Sequence, residues 1–255
     1  MKAELLVAVA LASILPVASA ADAPTPDGPQ RAFTIFMIGD STMADKPLVP
    51  PNPERGWGQL LPMYFQESVR VENHAANGRS ARSFIAEGRW KKVLERLKPG
   101  DYVIIQFGHN DEKITGRGAG PFGDYKTNLE RFVSETRSRD ATPILATPIV
   151  RRRFDAEGKF FDSHGEYPKA VRQVVDELNV PLLDLHAKTS ELLTRLGPEL
   201  SLKLFNHVAP GEYALHPDGL KDDTHLNSWG AARVCDMAVE EITAKVPALR
   251  ASLKR

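Results

Sequence analysis

Short apolar segments alternate with longer segments of helical periodicity along most of the chain. Apolar runs of this length are typical of strands that are buried on both faces of a sheet. The alternation predicts an α/β fold with a parallel sheet covered on both faces by helices. The predicted strands are residues 33–38, 69–73, 102–107, 143–147 and 181–185. The predicted helices are residues 57–67, 82–97, 125–139, 167–178 and 228–245.

The first 30 residues do not follow this alternation. Residues 1–20 resemble a secretory signal peptide, with Lys2 near the start, an apolar stretch after it and a small-residue cleavage site ending at Ala20. The apolar stretch is too short to span about 30 Å of hydrocarbon comfortably, which disfavours a membrane anchor. Residues 21–30 are rich in proline and polar residues and are expected to form a flexible lead-in. Residues 31–255 are then expected to form a single domain.

Composition narrows the class of function. The chain has 33 basic and 33 acidic residues, and this balance argues against a nucleic-acid or membrane-surface binder, because both need a basic excess. Cys235 is the sole cysteine, so an intrachain disulfide is excluded, and its apolar helical surroundings predict a buried small hydrophobe. An exported chain without disulfides is typical of a bacterial secreted or periplasmic protein. We expect no membrane association after signal cleavage.

Polar motifs follow four of the five predicted strands. They are residues 39–41, residues 74–82, residues 108–111 and residues 151–153. In a parallel α/β sheet, ligands bind at the carboxyl ends of the strands, where these motifs meet. The sequence therefore predicts a site at this edge of the sheet.

Ser41 stands where the first apolar run ends in Gly39-Asp40-Ser41-Thr42. Locally it fits two roles, the N-cap of an ordinary helix or a nucleophile held at the end of a strand. A nucleophilic serine needs a base, and the segment DDTHLNSWGA places Asp222 three residues before His225 in a predicted polar turn. That spacing allows the carboxylate to bond one ring nitrogen while the other accepts the Ser41 proton.

Three candidate donors could stabilise a developing oxyanion. Ser41 offers its backbone N–H at the predicted start of a helix, where the helix dipole favours negative charge. Gly78 offers a backbone N–H that no side chain blocks. Asn110 offers a side-chain amide. Together these residues predict ester hydrolysis through a serine.

Four motifs in order resemble the SGNH or GDSL hydrolase family: GDST, the glycine of NGRSARS, GHND and DDTH. The longer segments GDSTMAD, GRSARSF with EGRW, FGHNDE, and APGEY upstream of DDTHLNSWGA resemble the rhamnogalacturonan acetylesterase branch. The resemblance implies a three-layer, flavodoxin-like α/β domain with a central parallel sheet of about five strands. It also implies Ser41 as nucleophile, Asp222 and His225 as its triad partners, and Gly78 and Asn110 in the oxyanion hole. The elbow G-x-S-x-G of α/β-hydrolases is absent.

The remaining polar residues admit plainer roles. Asp40 and Asp111 are expected to brace their loops by accepting backbone N–H groups, and His109 is expected to be a packed imidazole. No cofactor is predicted, and His74, His164, His207 and His216 lack metal-ligand spacing, so no metal is predicted either.

The run Arg151-Arg152-Arg153 has two interpretations. Such runs are commonly solvated surface. Because arginine pairs bidentately with carboxylates, the run could instead bind an acidic sugar. Trp57, in the segment RGWGQ, is equally compatible with a place near the site and with ordinary core.

The leading functional prediction is a secreted or periplasmic esterase that removes acetyl groups from a pectin-type polysaccharide. A lysophospholipase or thioesterase of the same superfamily is the second prediction, although the segments near the motifs are polar and such enzymes need an apolar acyl groove. A non-catalytic carbohydrate-binding protein on the same scaffold is the third, which a complete triad disfavours. The exact polysaccharide and the oligomeric state are left open.

Overall fold

Five parallel strands form the central sheet. The computed structural model describes residues 33–114, 116 and 118–254, and these belong to one compact unit. The strands are β1 (Thr34–Gly39), β2 (Arg70–Asn73), β3 (Tyr102–Gln106), β4 (Thr142–Ala146) and β5 (Leu182–Leu183). Their spatial order is β2-β1-β3-β4-β5, and every pairing is parallel. This is the flavodoxin-like order, so the predicted fold class is confirmed.

Eight helices accompany the described strands. They are α1 (Trp57–Leu60), α2 (Ala81–Ala86), α3 (Arg89–Leu94), α4 (Lys126–Arg137), α5 (Tyr167–Leu178), α6 (Leu185–Ser201), α7 (Ser228–Lys245) and α8 (Pro247–Arg250). Short 3₁₀-helical turns occupy Leu61–Tyr64 and Leu202–Leu204, and a π-helical turn occupies Pro121–Tyr125. Two further strands, β6 (Phe205–Val208) and β7 (Leu220–Leu226), form a separate antiparallel hairpin.

Alternate residues of the strands face two different cores, as the period of two in a strand requires. Ile35 and Met37 of β1 pack in the core that includes α1, α6 and α7. Phe36 and Ile38 pack in the core that includes α2 to α5. The sheet is therefore the middle of three layers, and its runs of apolar residues are explained by burial on both faces.

Several predicted elements differ from the structure. The predicted helix 82–97 is two helices, because Gly88 adopts a left-handed conformation with φ of 70° between them. The predicted helix 57–67 ends as an α-helix at Leu60 and tightens into one turn around Pro62, which lacks the N–H that a regular helix needs. The sequence did not predict α6, α8, β6 or β7.

The predicted signal peptide and lead-in, residues 1–30, lie outside the described residues. Within the described part of the chain, no helix combines the length and the apolar character that a membrane crossing requires.

Candidate active site

Three loops meet at the carboxyl edge of the sheet. Ser41 follows β1, Gly78 follows β2 and Asn110 follows β3. Because β1 lies between β2 and β3 in the sheet, these loops are neighbours in space. All three residues line one cleft of about 490 Å³.

The loop that carries Ser41 is a tight turn. The Asp40 carbonyl accepts hydrogen bonds from Met43 N (3.2 Å) and Ala44 N (3.0 Å), and Asp40 Oδ1 accepts from Thr42 N and Oγ1 (3.0 and 2.8 Å). Gly39 is required because a Cβ there would lie 2.5 Å from the carbonyl oxygen of Gln106. The prediction that Asp40 braces the loop is confirmed.

No helix begins at Ser41, which corrects the sequence-based expectation. The chain makes a single turn after β1, and α1 begins at Trp57. A single turn has no aligned stack of peptide dipoles, so no helix dipole contributes at the Ser41 backbone N–H. The N–H of Ser41 stays a candidate donor on its own.

Ser41, His225 and Asp222 form a continuous hydrogen-bonded chain. His225 Nε2 lies 2.9 Å from Ser41 Oγ, and His225 Nδ1 lies 2.7 Å from Asp222 Oδ2. Ser41 and His225, the first two residues of this hydrogen-bonded series, both line the cleft. The order of contacts is that of a nucleophile, a base and a carboxylate that orients the base.

The hairpin β6–β7 positions the last two members of this chain. Asp222 and His225 lie on strand β7 and not in the predicted polar turn. Asp222 Oδ1 accepts the backbone N–H groups of Thr224 (2.8 Å) and His225 (3.0 Å), which fixes the carboxylate relative to the imidazole. The strand ends directly before Asn227, which caps α7 through a hydrogen bond from Gly230 N.

The carboxylate of Asp222 is held in its ionised form. Burial raises its pKa, but the side-chain hydrogen bond and charge of His225, with the two backbone N–H groups, outweigh burial and lower the pKa to about 2. An ionised Asp222 accepts the Nδ1 proton of His225 and leaves Nε2 free to accept a proton from Ser41.

The amide of Asn110 is fixed at both ends. Nδ2 donates to the carbonyl oxygen of Arg79 (3.2 Å), and Oδ1 accepts from Lys113 Nζ (3.3 Å). These contacts assign the nitrogen to the Arg79 side and leave it one further N–H to donate. Gly78 adopts φ of 73°, a left-handed conformation that favours glycine.

Two buried acids, Asp40 and Asp111, accept hydrogen bonds from the loops behind the cleft. The pKa of Asp40 is lowered, whereas the pKa of Asp111 is raised. Burial raises the pKa of Asp40, but contacts with His109 and Thr42 outweigh it and lower the pKa overall. Burial lowers the pKa of His109 to about 4, so this fully packed imidazole is neutral near pH 7. Asp111 accepts Ala81 N at 2.9 Å as predicted, yet burial raises its pKa to about 8.

Of the three adjacent arginines, Arg151 alone lines the cleft. Its guanidinium pairs with Glu112 and donates to the carbonyl oxygen of His109 at 3.2 Å. Arg152 instead bonds Asp223 of strand β7 at 2.8 Å, and Arg153 is exposed outside the cleft wall. The structure therefore does not bring the three arginines together at one site.

Sequence reasoning missed several groups in the cleft wall. These are Lys46, Glu54, Asn77, Lys113 and Thr224. Asn77 and Lys113 lie within three residues of Gly78 and Asn110 in the sequence, so they could have been predicted from that proximity. Trp57, by contrast, is core: it is fully buried, and its Nε1 donates to Gln106 Oε1 at 2.7 Å. Cys235 is buried as predicted.

Across residues 33–114, 116 and 118–254, no group of three or more His, Cys, Asp and Glu side chains is placed to hold a metal ion.

The family model for GDSL-like lipases and acylhydrolases matches residues 37–233, a range that contains Ser41, Asp222, His225 and all three oxyanion candidates. The chain belongs to this family. It is therefore an ester hydrolase, and its predicted resemblance to the SGNH or GDSL hydrolases is confirmed.

Two curated relatives support the finer resemblance. The rhamnogalacturonan acetylesterase RhgT of Bacillus subtilis is 41% identical over 215 residues, which are 84% of this chain and 90% of RhgT. A rhamnogalacturonan acetylesterase of Emericella nidulans is 41% identical over 248 residues, covering 88% of this chain and 90% of that protein. The predicted resemblance to this branch of the family is thus confirmed.

A solved structure shows the same fold. The crystal structure of the Bacillus subtilis protein YxiM matches with a TM-score of 0.70 and 28% identity, and the match covers 84% of this chain and 57% of that one.

Proposed function

We propose that the protein is a serine acetylesterase that removes acetyl groups from a pectin-type polysaccharide of the rhamnogalacturonan class. The observation that carries the proposal is the chain of contacts from Ser41 through His225 to Asp222 at the wall of an open cleft. The acetylesterase relatives support the choice of substrate.

In the first half of the reaction, Ser41 Oγ attacks the carbonyl carbon of the acetyl ester. His225 Nε2 accepts the proton from Oγ as the new C–O bond forms, and the carbonyl oxygen becomes an oxyanion. When this tetrahedral intermediate collapses, the bond to the sugar oxygen breaks. The sugar oxygen takes the proton from His225, and the acetyl group remains on Ser41.

In the second half, water replaces the sugar. His225 Nε2 takes a proton from the water, whose oxygen attacks the acetyl carbon on Ser41. Collapse releases acetic acid and returns the proton to Ser41 Oγ. Asp222 keeps the imidazole oriented and stabilises its positive charge in both halves without itself being protonated.

Three donors stabilise the oxyanion in each half. They are the backbone N–H groups of Ser41 and Gly78 and the side-chain amide of Asn110. A donor of this kind is typically worth about 3–4 kcal/mol in the transition state, because it is aimed at charge that develops only there.

The wall of the cleft favours a short acyl group on a polar substrate. The described residues that line it are charged or polar apart from Gly78, and no aliphatic side chain is among them. A lysophospholipase or thioesterase must bury a long hydrocarbon chain, which such a wall would leave against charged groups. An acetyl group needs no such groove, and sugar hydroxyls find hydrogen-bond partners there.

Arg151 is the proposed contact for an acidic sugar. Its guanidinium lies in the cleft wall and is shared with Glu112, so a substrate carboxylate would compete with, or add to, that pairing. Arg152 and Arg153 have no part in this proposal, because they lie outside the cleft wall. We also propose that the mature enzyme is secreted or periplasmic, on the basis of residues 1–20.

Acetate release from a panel of acetylated polysaccharides tests the substrate class. The panel contains acetylated rhamnogalacturonan, homogalacturonan, xylan and chitin fragments, together with 4-nitrophenyl acetate and a long-chain 4-nitrophenyl ester. We expect the highest kcat/KM on a pectin-type substrate and little turnover of the long-chain ester. Preference for xylan or for the long-chain ester would overturn the proposed substrate class.

A further inference from the structure

Lys46 is a buried cation in the cleft wall. Its side chain is 3% exposed, and its Nζ lies 2.6 Å from Glu54 Oε1 and 2.6 Å from Asn77 Oδ1. An ammonium at this depth is stable only when it is paired and hydrogen-bonded. Lys46 is therefore held by two partners, and they belong to two different loops.

The first partner stands next to an oxyanion donor. Asn77 immediately precedes Gly78, and the Asn77 carbonyl oxygen accepts a hydrogen bond from Arg79 Nη1 at 2.7 Å. The bond from Lys46 to the Asn77 side chain fixes the loop from the cleft side. Loss of the Lys46 ammonium would therefore remove a contact to the residue whose peptide carries the Gly78 N–H.

The second partner, Glu54, lies beside the end of the strand that carries His225. Glu54 forms an antiparallel bridge with Asn227, and Arg55 N donates to the carbonyl oxygen of Leu226 at 2.9 Å. Leu226 and Asn227 directly follow His225 in the chain. The ion pair between Lys46 and Glu54 therefore ties the cleft wall to the end of the strand that carries the base.

The backbone of Lys46 is fixed as well. Lys46 N donates to Gln59 Oε1 at 3.1 Å, and Gln59 Nε2 donates back to the Lys46 carbonyl oxygen at 3.0 Å. Lys46 lies five residues after Ser41, in the same loop. One side chain thus connects the loop of Ser41 with the loop of Gly78 and, through Glu54, with the end of the strand that carries His225.

We propose that Lys46 is a positioning residue that aligns the oxyanion hole with the triad. The inference rests on the proposed acyl-transfer function of that site. A shift of about 1 Å in a donor or base can cost roughly 100-fold in rate, so loss of the link should lower kcat. Because Lys46 acts through Asn77 and Glu54 and not on the substrate, KM should change little.

The test compares Lys46→Met, Asn77→Ala and the double variant with the wild-type enzyme on 4-nitrophenyl acetate. Lys92→Met is the matched control, because Lys92 is an exposed lysine of α3 outside the cleft wall. Ser41→Ala is assayed in parallel. Thermal midpoints are measured first, and all rates are taken well below the lowest midpoint.

We expect Lys46→Met to lower kcat by roughly 10- to 100-fold with KM within about twofold of wild type. Asn77→Ala should lower kcat by a smaller factor, and the double variant should match Lys46→Met, because the bond that Asn77→Ala removes is one of the two that Lys46→Met already removes. Asn77 is exposed, so its variant keeps the test valid even if Lys46→Met does not fold. Lys92→Met should behave as wild type.

Three results would overturn the inference. The first is a wild-type kcat in Lys46→Met, or in Asn77→Ala if Lys46→Met does not fold. The second is a raised KM at unchanged kcat, which would make Lys46 a substrate contact. The third is a double variant in which the effects of the two changes on kcat multiply. Failure of the proposed function has a different signature: the wild-type enzyme would not hydrolyse acetyl esters, or Ser41→Ala would retain the activity, and the inference would fall with it.

Discussion

His225 Nε2 and Ser41 Oγ are 2.9 Å apart although 184 positions separate the two residues in the sequence. The contact depends on how the hairpin of β6 and β7 docks on the sheet. Arg152 N donates to the carbonyl oxygen of Asp223 at 2.8 Å, and the Arg152 guanidinium bonds the Asp223 carboxylate at the same distance. The loop after β4 therefore holds the strand that brings His225 to Ser41.

Replacement of Ser41 by alanine should abolish turnover without unfolding the protein. The change removes one hydroxyl, and in serine hydrolases loss of the nucleophile costs roughly 10⁶-fold in kcat. The measurement is acetate release together with the thermal midpoint. Ser68→Ala, at an exposed serine away from the cleft, is the control and should keep full activity. Turnover by Ser41→Ala above a small fraction of wild type would exclude the serine mechanism.

Replacement of Asp222 by asparagine should lower kcat by roughly 10⁴-fold, the effect known for the equivalent change in serine proteases. An amide at this position can donate to Nδ1 of His225 and so favour the tautomer that no longer accepts the Ser41 proton. The measurement is kcat on 4-nitrophenyl acetate. Activity within tenfold of wild type would mean that Asp222 does not orient the base.

The pH profile separates the two members of the acid–base pair. The pKa of Asp222 is about 2, so its carboxylate stays ionised throughout the range in which the enzyme can be assayed. We therefore expect kcat/KM to fall on the acid side through protonation of His225 alone, as one proton per active site. A two-proton acid limb, or the absence of any acid limb, would contradict this assignment.

Replacement of Asn110 by alanine should lower kcat roughly 10²- to 10³-fold while KM changes little, because an oxyanion donor acts mainly in the transition state. The measurement is steady-state kinetics on 4-nitrophenyl acetate and on an acetylated oligosaccharide. Weaker binding at unchanged kcat would place Asn110 in substrate recognition instead.

Asp111 should make the protein less stable as the pH rises. Its Oδ2 makes no hydrogen bond to the described residues, and burial, with the charge of Asp40, raises its pKa from 3.8 to about 8. The folded state therefore keeps a proton that the unfolded state loses, and the free energy of unfolding falls between about pH 4 and pH 8. In Asp111→Asn, the amide keeps an acceptor for Ala81 N and carries no charge. Its advantage over wild type should therefore grow as the pH rises from about 4 to about 8.

Denaturant titrations at several pH values measure this difference. Equal slopes of stability against pH for the two proteins would show that Asp111 is not protonated in the folded state.

The central sheet could be predicted because its strands are buried on both faces and therefore read as apolar runs. The loops that carry Ser41, Gly78 and Asn110 follow from that sheet, since parallel strands present their carboxyl ends together. The break at Gly88 could not be predicted from periodicity, because the apolar spacing continues across it while the backbone turns.

The hairpin that carries Asp222 and His225 could not be predicted from the pattern of apolar residues. Its second strand, Leu220–Leu226, is largely polar, and it pairs with Phe205–Val208 across the long connection from residue 209 to residue 219. The burial of Lys46 is similar: a lysine in a proline-rich loop is typically solvated, and only the approach of Glu54 and Asn77 reveals its place.

Covalent trapping of the nucleophile tests the central claim most directly. The wild-type enzyme is treated with a fluorophosphonate, a reagent that phosphonylates activated serines, and the label is located by peptide mass spectrometry while residual esterase activity is followed. We predict one label per chain, on Ser41, with activity lost in proportion to labelling, and no label on Ser41 in the His225→Ala variant. Full inactivation with the label at another residue, or a labelled Ser41 in an enzyme that keeps its activity, would contradict the account.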